Sequence, residues 1–183
     1  EDGDGFWQER APGVGAKPDH AFWIAAARET FEEAGLLLAR RRSPVHSGPL
    51  LSQKETHDII GKWRPKLLKG ETTFVDIIKH EDLEIATDVM VHYAHWITPT
   101  GVPKRFDTHF LMVAAPTDQI GAADGSESVD GLWITPAQAL ADGDAGRKTL
   151  VPATRMNLKK ITPFKTVAEA MAATRASKVV TVQ

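Results

Sequence analysis

Residues 27–40, ARETFEEAGLLLAR, combine a helical repeat, three glutamates within five positions and a glycine stop. Ala27, Thr30, Phe31 and Ala34 recur at i, i+3, i+4 and i+7, so the spacing predicts a helix over 21–34 with one mostly apolar stripe. Glu29, Glu32 and Glu33 fall on another side, where three- and four-residue separations bring side chains together. Gly35 stands where such a helix should end, because glycine enters the left-handed conformation without a Cβ penalty. Leu36 to Leu38 then read as a short buried strand. Like charges at this spacing destabilise a helix by roughly 0.2–0.5 kcal/mol per pair. The nearby cation is Arg28, four residues before Glu32 and able to brace it. A divalent ion removes the repulsion, and carboxylate oxygens suit Mg²⁺ or Mn²⁺. On spacing alone, a plain solvated helix face remains the alternative.

The bulk numbers narrow the classes. A chain of 183 residues fits one domain with room for an insertion or small lobe, and 42% hydrophobic with 25% charged residues is globular composition rather than disorder. A net charge of −2 offers no electrostatic reason to expect nucleic acid or an anionic membrane as partner. With no cysteine, disulfides, thiol catalysis and Cys-ligated zinc are excluded. No apolar run approaches the roughly 20 residues that cross a bilayer. The chain starts at Glu1 without a methionine, so the reading is that the natural N-terminus is missing. A cytoplasmic, bacterial protein fits, with an organelle left open by that missing segment.

Along the chain, residues 1–20 are Gly-, Asp- and Pro-rich and read as a loop. Arg40, Arg41 and Arg42 are expected to be a solvated run, with phosphate contact as the alternative. Ser52 with Glu55 has capping-box spacing and opens a helix to about Lys66; TTFVDIIKHEDL suggests a second helix. Together 51–83 reads as a helical insertion or lid. Residues 89–115 read as a β-hairpin, with Arg105 starting its second strand and sharing a face with Asp107 and His109. VDGLWIT, after a polar loop over 117–128, is expected to be another strand. Thr135, Pro136 and Gln138 mark one helix start, and Thr166 with Glu169 another. His92 and His95, three apart on a strand, are expected on opposite faces. All seven histidines are read as structural or surface groups, and Trp23, Trp63 and Trp133 as core. Trp96, next to the TPTG turn, has two readings, core or ligand contact.

The string RETFEEAG followed by Leu36 resembles the second half of the Nudix box, R-E-U-x-E-E-x-G-U, where U is bulky and apolar. Arg28, Glu29, Glu32, Glu33, Gly35 and Leu36 match; Thr30 departs at the first U. The first half, G-x5-E-x7-R, would fall on Val14 and His20 and does not match. EDGDG at 1–5 resembles the start of an interrupted box, with Asp4 as its displaced first acid and a loop insertion over about 5–20. A split box resembles the coenzyme A diphosphatase branch typified by the peroxisomal enzyme. The segments HWITPTGVPKRFDTHFL and LVPATRMNLKKI agree with that likeness, which covers most of the chain.

The resemblance implies an α/β fold: a single Nudix α/β/α sandwich over 1–183 with a mixed sheet, a helical insertion, and N-terminal strands missing from this chain. Without those strands the sheet would expose an unpaired edge, for which a homodimer is one remedy. It implies a small-molecule partner and metal-dependent hydrolysis of a nucleoside diphosphate linked to another moiety. Coenzyme A or acyl-coenzyme A would give 3′,5′-ADP and (acyl-)4′-phosphopantetheine. The alternatives are the same chemistry on ADP-ribose, a nucleotide sugar or a dinucleotide, and a non-catalytic nucleotide-binding module. By the same resemblance, Glu29, Glu32 and Glu33 are Mg²⁺ or Mn²⁺ ligands, Arg28 orients them, and Glu32 or Glu33 doubles as the base. Glu127 is a candidate further ligand, against a plain loop residue. Arg105 is a candidate for substrate phosphate, against a structural Arg–Asp pair.

Overall fold

The structure is a computed structural model that describes residues 19–46, 48–101, 103–119, 121–123 and 131–182. By their contacts these residues group into two units. One comprises Asp19–Met90 and Ala114–Leu132; the other comprises Val91–Val113 and Trp133 onward.

The first unit opens with α1, His20–Ala34. Its apolar stripe buries Ala27 and Phe31, at 1% and 0% exposure, and the Phe31 ring meets Phe74 at 5.7 Å between centroids. A phenylalanine buried this fully contributes roughly 1.5–3 kcal/mol. Gly35 ends the helix at φ 64°, as expected of a left-handed stop. Strand β1 is Ala39–Arg41 rather than Leu36–Leu38. The three leucines precede that strand: Leu37 gives its N–H to the Gln119 side chain at 3.0 Å, its carbonyl accepts from the same amide at 3.2 Å, and the Leu38 carbonyl accepts from Ala86 at 3.0 Å. Apolar composition reported burial correctly and strand pairing wrongly.

Helix α2, Gln53–Leu68, starts at the Ser52–Glu55 capping box, and α3, Phe74–His80, is capped by Thr73. Strand β2, Leu83–Ile85, follows and pairs antiparallel with β1, so α2 and α3 connect two partnered strands. The arginine run is not all solvated. Arg40 is 3% exposed, donates to both oxygens of Asp88 at 2.8 and 2.9 Å and to the His46 carbonyl, while Arg41 and Arg42 lie on the surface.

The second unit is built on β3, Val91–Ile97, with antiparallel β4, Asp107–Met112, on one side and parallel β5, Thr181–Val182, on the other. This sheet is mixed, as the α/β reading required. Helix α4, Pro136–Asp144, is capped by Thr135, and α6, Val167–Ala176, by Thr166, both as the spacing predicts. Helix α5, Pro152–Ile161, starts with proline at its first turn and has no side-chain cap, so it lacked the usual start signal. It is fixed to β3 by Tyr93 donating to the Asn157 carbonyl at 2.6 Å and by Lys160 donating to the Tyr93 carbonyl at 2.9 Å. VDGLWIT forms no strand over its described residues 131–135. Trp133 is 76% exposed there, against the expectation of a core residue. Trp63 is half-buried and donates to Glu81 at 2.6 Å.

Candidate active site

The carboxylate helix is organised by two arginines. Arg28 Nη1 donates to Glu32 Oε2 in a close contact, and Nη2 donates to Glu29 Oε1 at 3.2 Å. One guanidinium thus gathers two of the three carboxylates and offsets their repulsion. Glu33 is exposed and makes no hydrogen bond or ion pair through its carboxylate among the described residues. Glu29 and Glu32 side chains are 57% and 21% exposed. The donor set is hard oxygen only, part accessible to solvent, and anchored on a rigid helix. That chemistry fits Mg²⁺ or Mn²⁺.

The second arginine lies in α2. Arg64 is 9% exposed and donates from Nε to the Glu32 carbonyl at 2.9 Å, from Nη2 to the Glu33 carbonyl at 2.9 Å, and from Nη2 to the Ala122 carbonyl at 2.8 Å. A cation here satisfies carbonyls that the last helical turn leaves orphaned, and it opposes the helix dipole. Gly35 makes the approach possible: a Cβ there would sit 3.0 Å from Arg64 Nη1. The glycine of the motif therefore both stops the helix and admits its cap. The segment after Gln119 closes the same end. Ala122 donates to the Ala34 carbonyl at 2.8 Å, and a Cβ on Gly121 would come within 3.1 Å of that oxygen.

Arg64 was not singled out from the sequence, although a signal exists. Thr56, Ile59, Ile60, Trp63 and Arg64 follow the i, i+3, i+4, i+7, i+8 stripe of a buried helix face, and a charge on such a stripe requires partners.

The structure brings Arg28, Glu29, Glu32 and Glu33 onto one face of α1. Asp4 and Glu127 lie outside the described residues. Arg105 precedes β4 rather than starting it, and its Nε donates to the Thr98 carbonyl at 2.9 Å, across the hairpin turn. It is not braced by Asp107, whose Oδ1 instead meets His95 Nε2.

The histidines depart most from expectation. A bulge in β3 between His92 and Ala94 adds a residue to the strand, which reverses the alternation beyond it. His92 and His95 are therefore brought together, with ring centroids 6.4 Å apart, and His109 of β4 lies 5.0 Å from His92 and 4.0 Å from His95. Burial, reinforced by the neighbouring His109 and His95 rings, pushes the His92 imidazole down to about 4. His95, Asp107 and His109 form a group whose ligand atoms all lie within 4.8 Å of one another. Trp96 lines an apolar cavity of about 570 Å³ with Ile97, Phe106, Phe110, Val151 and Val182, and donates to Asn157 Oδ1 at 3.2 Å.

The chain is similar in sequence to proteins of one known family. The family model for the NUDT19 Nudix domain matches residues 6–161. The human (Homo sapiens) protein named acyl-coenzyme A diphosphatase NUDT19 is 33% identical over 126 residues, covering 66% of this chain and 33% of that protein. Its Xenopus laevis namesake is 26% identical over 155 residues, 80% of this chain and 40% of that one. A putative nudix hydrolase 7 from Caenorhabditis elegans is 27% identical over 154 residues, 82% and 47%. The chain thus spans less than half the length of each of these relatives. The crystal structure of a NUDIX hydrolase from Alicyclobacillus acidocaldarius superposes with a TM-score of 0.59 at 24% identity, over 87% of this chain and 69% of that one, a likeness of fold.

Proposed function

The chain belongs to the Nudix family represented by the NUDT19 Nudix domain, and from that premise we propose that it is a metal-dependent diphosphatase. Its substrate is a nucleoside diphosphate linked to another moiety, with coenzyme A or acyl-coenzyme A first. The products would be 3′,5′-ADP and (acyl-)4′-phosphopantetheine. The observation that carries this reading is the carboxylate face of α1, gathered by Arg28 and locked at its end by Arg64. The names borne by the human and frog relatives favour the coenzyme A class.

In this reading Glu29, Glu32 and Glu33 hold Mg²⁺ or Mn²⁺, which when bound would neutralise the diphosphate and supply hydroxide near neutral pH. Arg28 orients Glu29 and Glu32 as ligands. Glu33, without an ion pair among the described residues, is the candidate for the base, since Arg28 engages Glu32. Arg64 acts on the chemistry indirectly, by fixing the backbone that carries Glu32 and Glu33. Arg105 keeps its proposed phosphate role only through its remaining guanidinium nitrogens, since Nε is committed to Thr98.

The test is chromatographic. Coenzyme A, an acyl-coenzyme A and ADP-ribose are offered separately with Mg²⁺, and the nucleotide product is identified. The expected result is 3′,5′-ADP from the first two and little turnover of ADP-ribose. Turnover of ADP-ribose alone would replace the substrate and keep the chemistry. No turnover of any of the three, with no rise in melting temperature in millimolar Mg²⁺, would leave a non-catalytic module.

A further inference from the structure

The histidine group of the β3–β4 hairpin has the features of a ligand set rather than of a packed core. Its side chains are almost sealed from solvent, at 2% for His95, 1% for Asp107 and 4% for His109. Asp107 Oδ1 contacts His95 Nε2 closely and lies 3.9 Å from His109 Nε2. Asp107 Oδ2 is buried with no hydrogen-bond partner among the described residues. A buried carboxylate oxygen left unsatisfied is costly, and proteins seldom retain one without a reason.

The far sides of the two rings are occupied. His95 Nδ1 is held by Thr181 Oγ1 at 2.8 Å, and His109 Nδ1 by His92 Nε2 at 3.0 Å. Both imidazoles are thereby fixed in orientation through Nδ1, with Nε2 turned towards the Asp107 carboxylate. Metal-ligating histidines are characteristically steadied in this way through their other ring nitrogen. The rings stack at 4.0 Å with 10° between planes, and both Nε2 atoms face the same Asp107 oxygen.

We propose that His95, Asp107 and His109 form a buried binding site for a divalent first-row transition-metal ion, with zinc as its representative, tying β3 to β4. Two imidazoles and a carboxylate suit zinc and its neighbours rather than Mg²⁺, which prefers oxygen alone. Zinc–nitrogen bonds of about 2.0–2.1 Å require the ligand atoms to draw in from their present spread, a movement of roughly an ångström for side chains. A metal would complete the orphaned Asp107 Oδ2 and remove the unfavourable burial of a carboxylate charge. With so little solvent access the site is structural, and through Thr181 its order extends to β5. The proposal uses only residues of the second unit and does not depend on the diphosphatase reading.

The probe is Zn²⁺ itself, added to metal-stripped protein in excess Mg²⁺ so that hard-oxygen sites are already filled. Competition with a chromophoric chelator should show uptake of about one equivalent per chain. Glu32→Gln should bind zinc as wild type does, whereas His109→Gln should weaken uptake at least tenfold. If His109→Gln fails to fold, histidine side-chain NMR of the wild type decides. Zinc should then shift the Nε2 resonances of two residues, His95 and His109, leaving their Nδ1 hydrogen bonds in place. No stoichiometric uptake at micromolar zinc would overturn the proposal. So would uptake unaffected in folded His109→Gln, or zinc-induced shifts confined to other histidines.

Discussion

The α1 carboxylates and the β3–β4 histidines are both clusters of ligand-type side chains, but they are built in opposite ways. On α1 the groups are local in sequence, partly exposed, and brought together by helical period alone. On the hairpin they come from two strands, are sealed from water, and meet only because a bulge rotates part of β3. An exposed cluster tolerates its own repulsion because water screens it and Arg28 offsets it. A buried cluster has neither relief and must satisfy every polar atom internally. The first arrangement suits exchangeable chemistry at a surface, and the second suits permanent structure.

Substitutions should separate the two. The largest effect is expected from Asp107→Ala, which removes one partner of a buried pair and should lower unfolding free energy by about 3–5 kcal/mol in urea denaturation. Next is Glu32→Gln, which should cut turnover at least ~100-fold, about 2.7 kcal/mol of barrier, while leaving the urea midpoint nearly unchanged. If both variants lost stability equally, the contrast between the clusters would fail. Arg64→Ala comes third and should affect both stability and turnover, because it leaves three carbonyls without their cation. A loss of about 2 kcal/mol in stability is expected, with turnover falling too. Arg64→Lys should rescue little, since one ammonium cannot reproduce the guanidinium fork. Gly35→Ala forces a Cβ into positive φ and against Arg64, costing about 1–2 kcal/mol by thermal or urea unfolding. The smallest is Ser52→Ala at the start of α2, about 1 kcal/mol. It should leave turnover intact.

The same contrast explains what could be read in the sequence. Helix α1, its glycine stop and the caps at Ser52, Thr135 and Thr166 were legible because each rests on residues within a few positions of one another. The glutamate face was legible for the same reason. The histidine group was not: strict alternation placed His92 and His95 apart, and no local residue announces a bulge at Tyr93. Leu36–Leu38 misled because a buried run resembles a strand, whereas Leu37 is bound by an amide 82 residues away. Trp133 misled because size and hydrophobicity indicate a preference for burial, not a place to be buried. Arg64 stood within reach as a charge on an apolar stripe, but its partners are backbone carbonyls, which no sequence pattern names.

Metal-dependent chemistry at Glu29, Glu32 and Glu33 is the central claim to be tested. The direct measurement is the initial rate of 3′,5′-ADP release from coenzyme A across a Mn²⁺ titration, in the wild type and in Glu32→Gln. Release that saturates with metal in the wild type and falls at least ~100-fold in the variant is the predicted result. Release that is independent of added metal after chelation, or undiminished in Glu32→Gln, would contradict it.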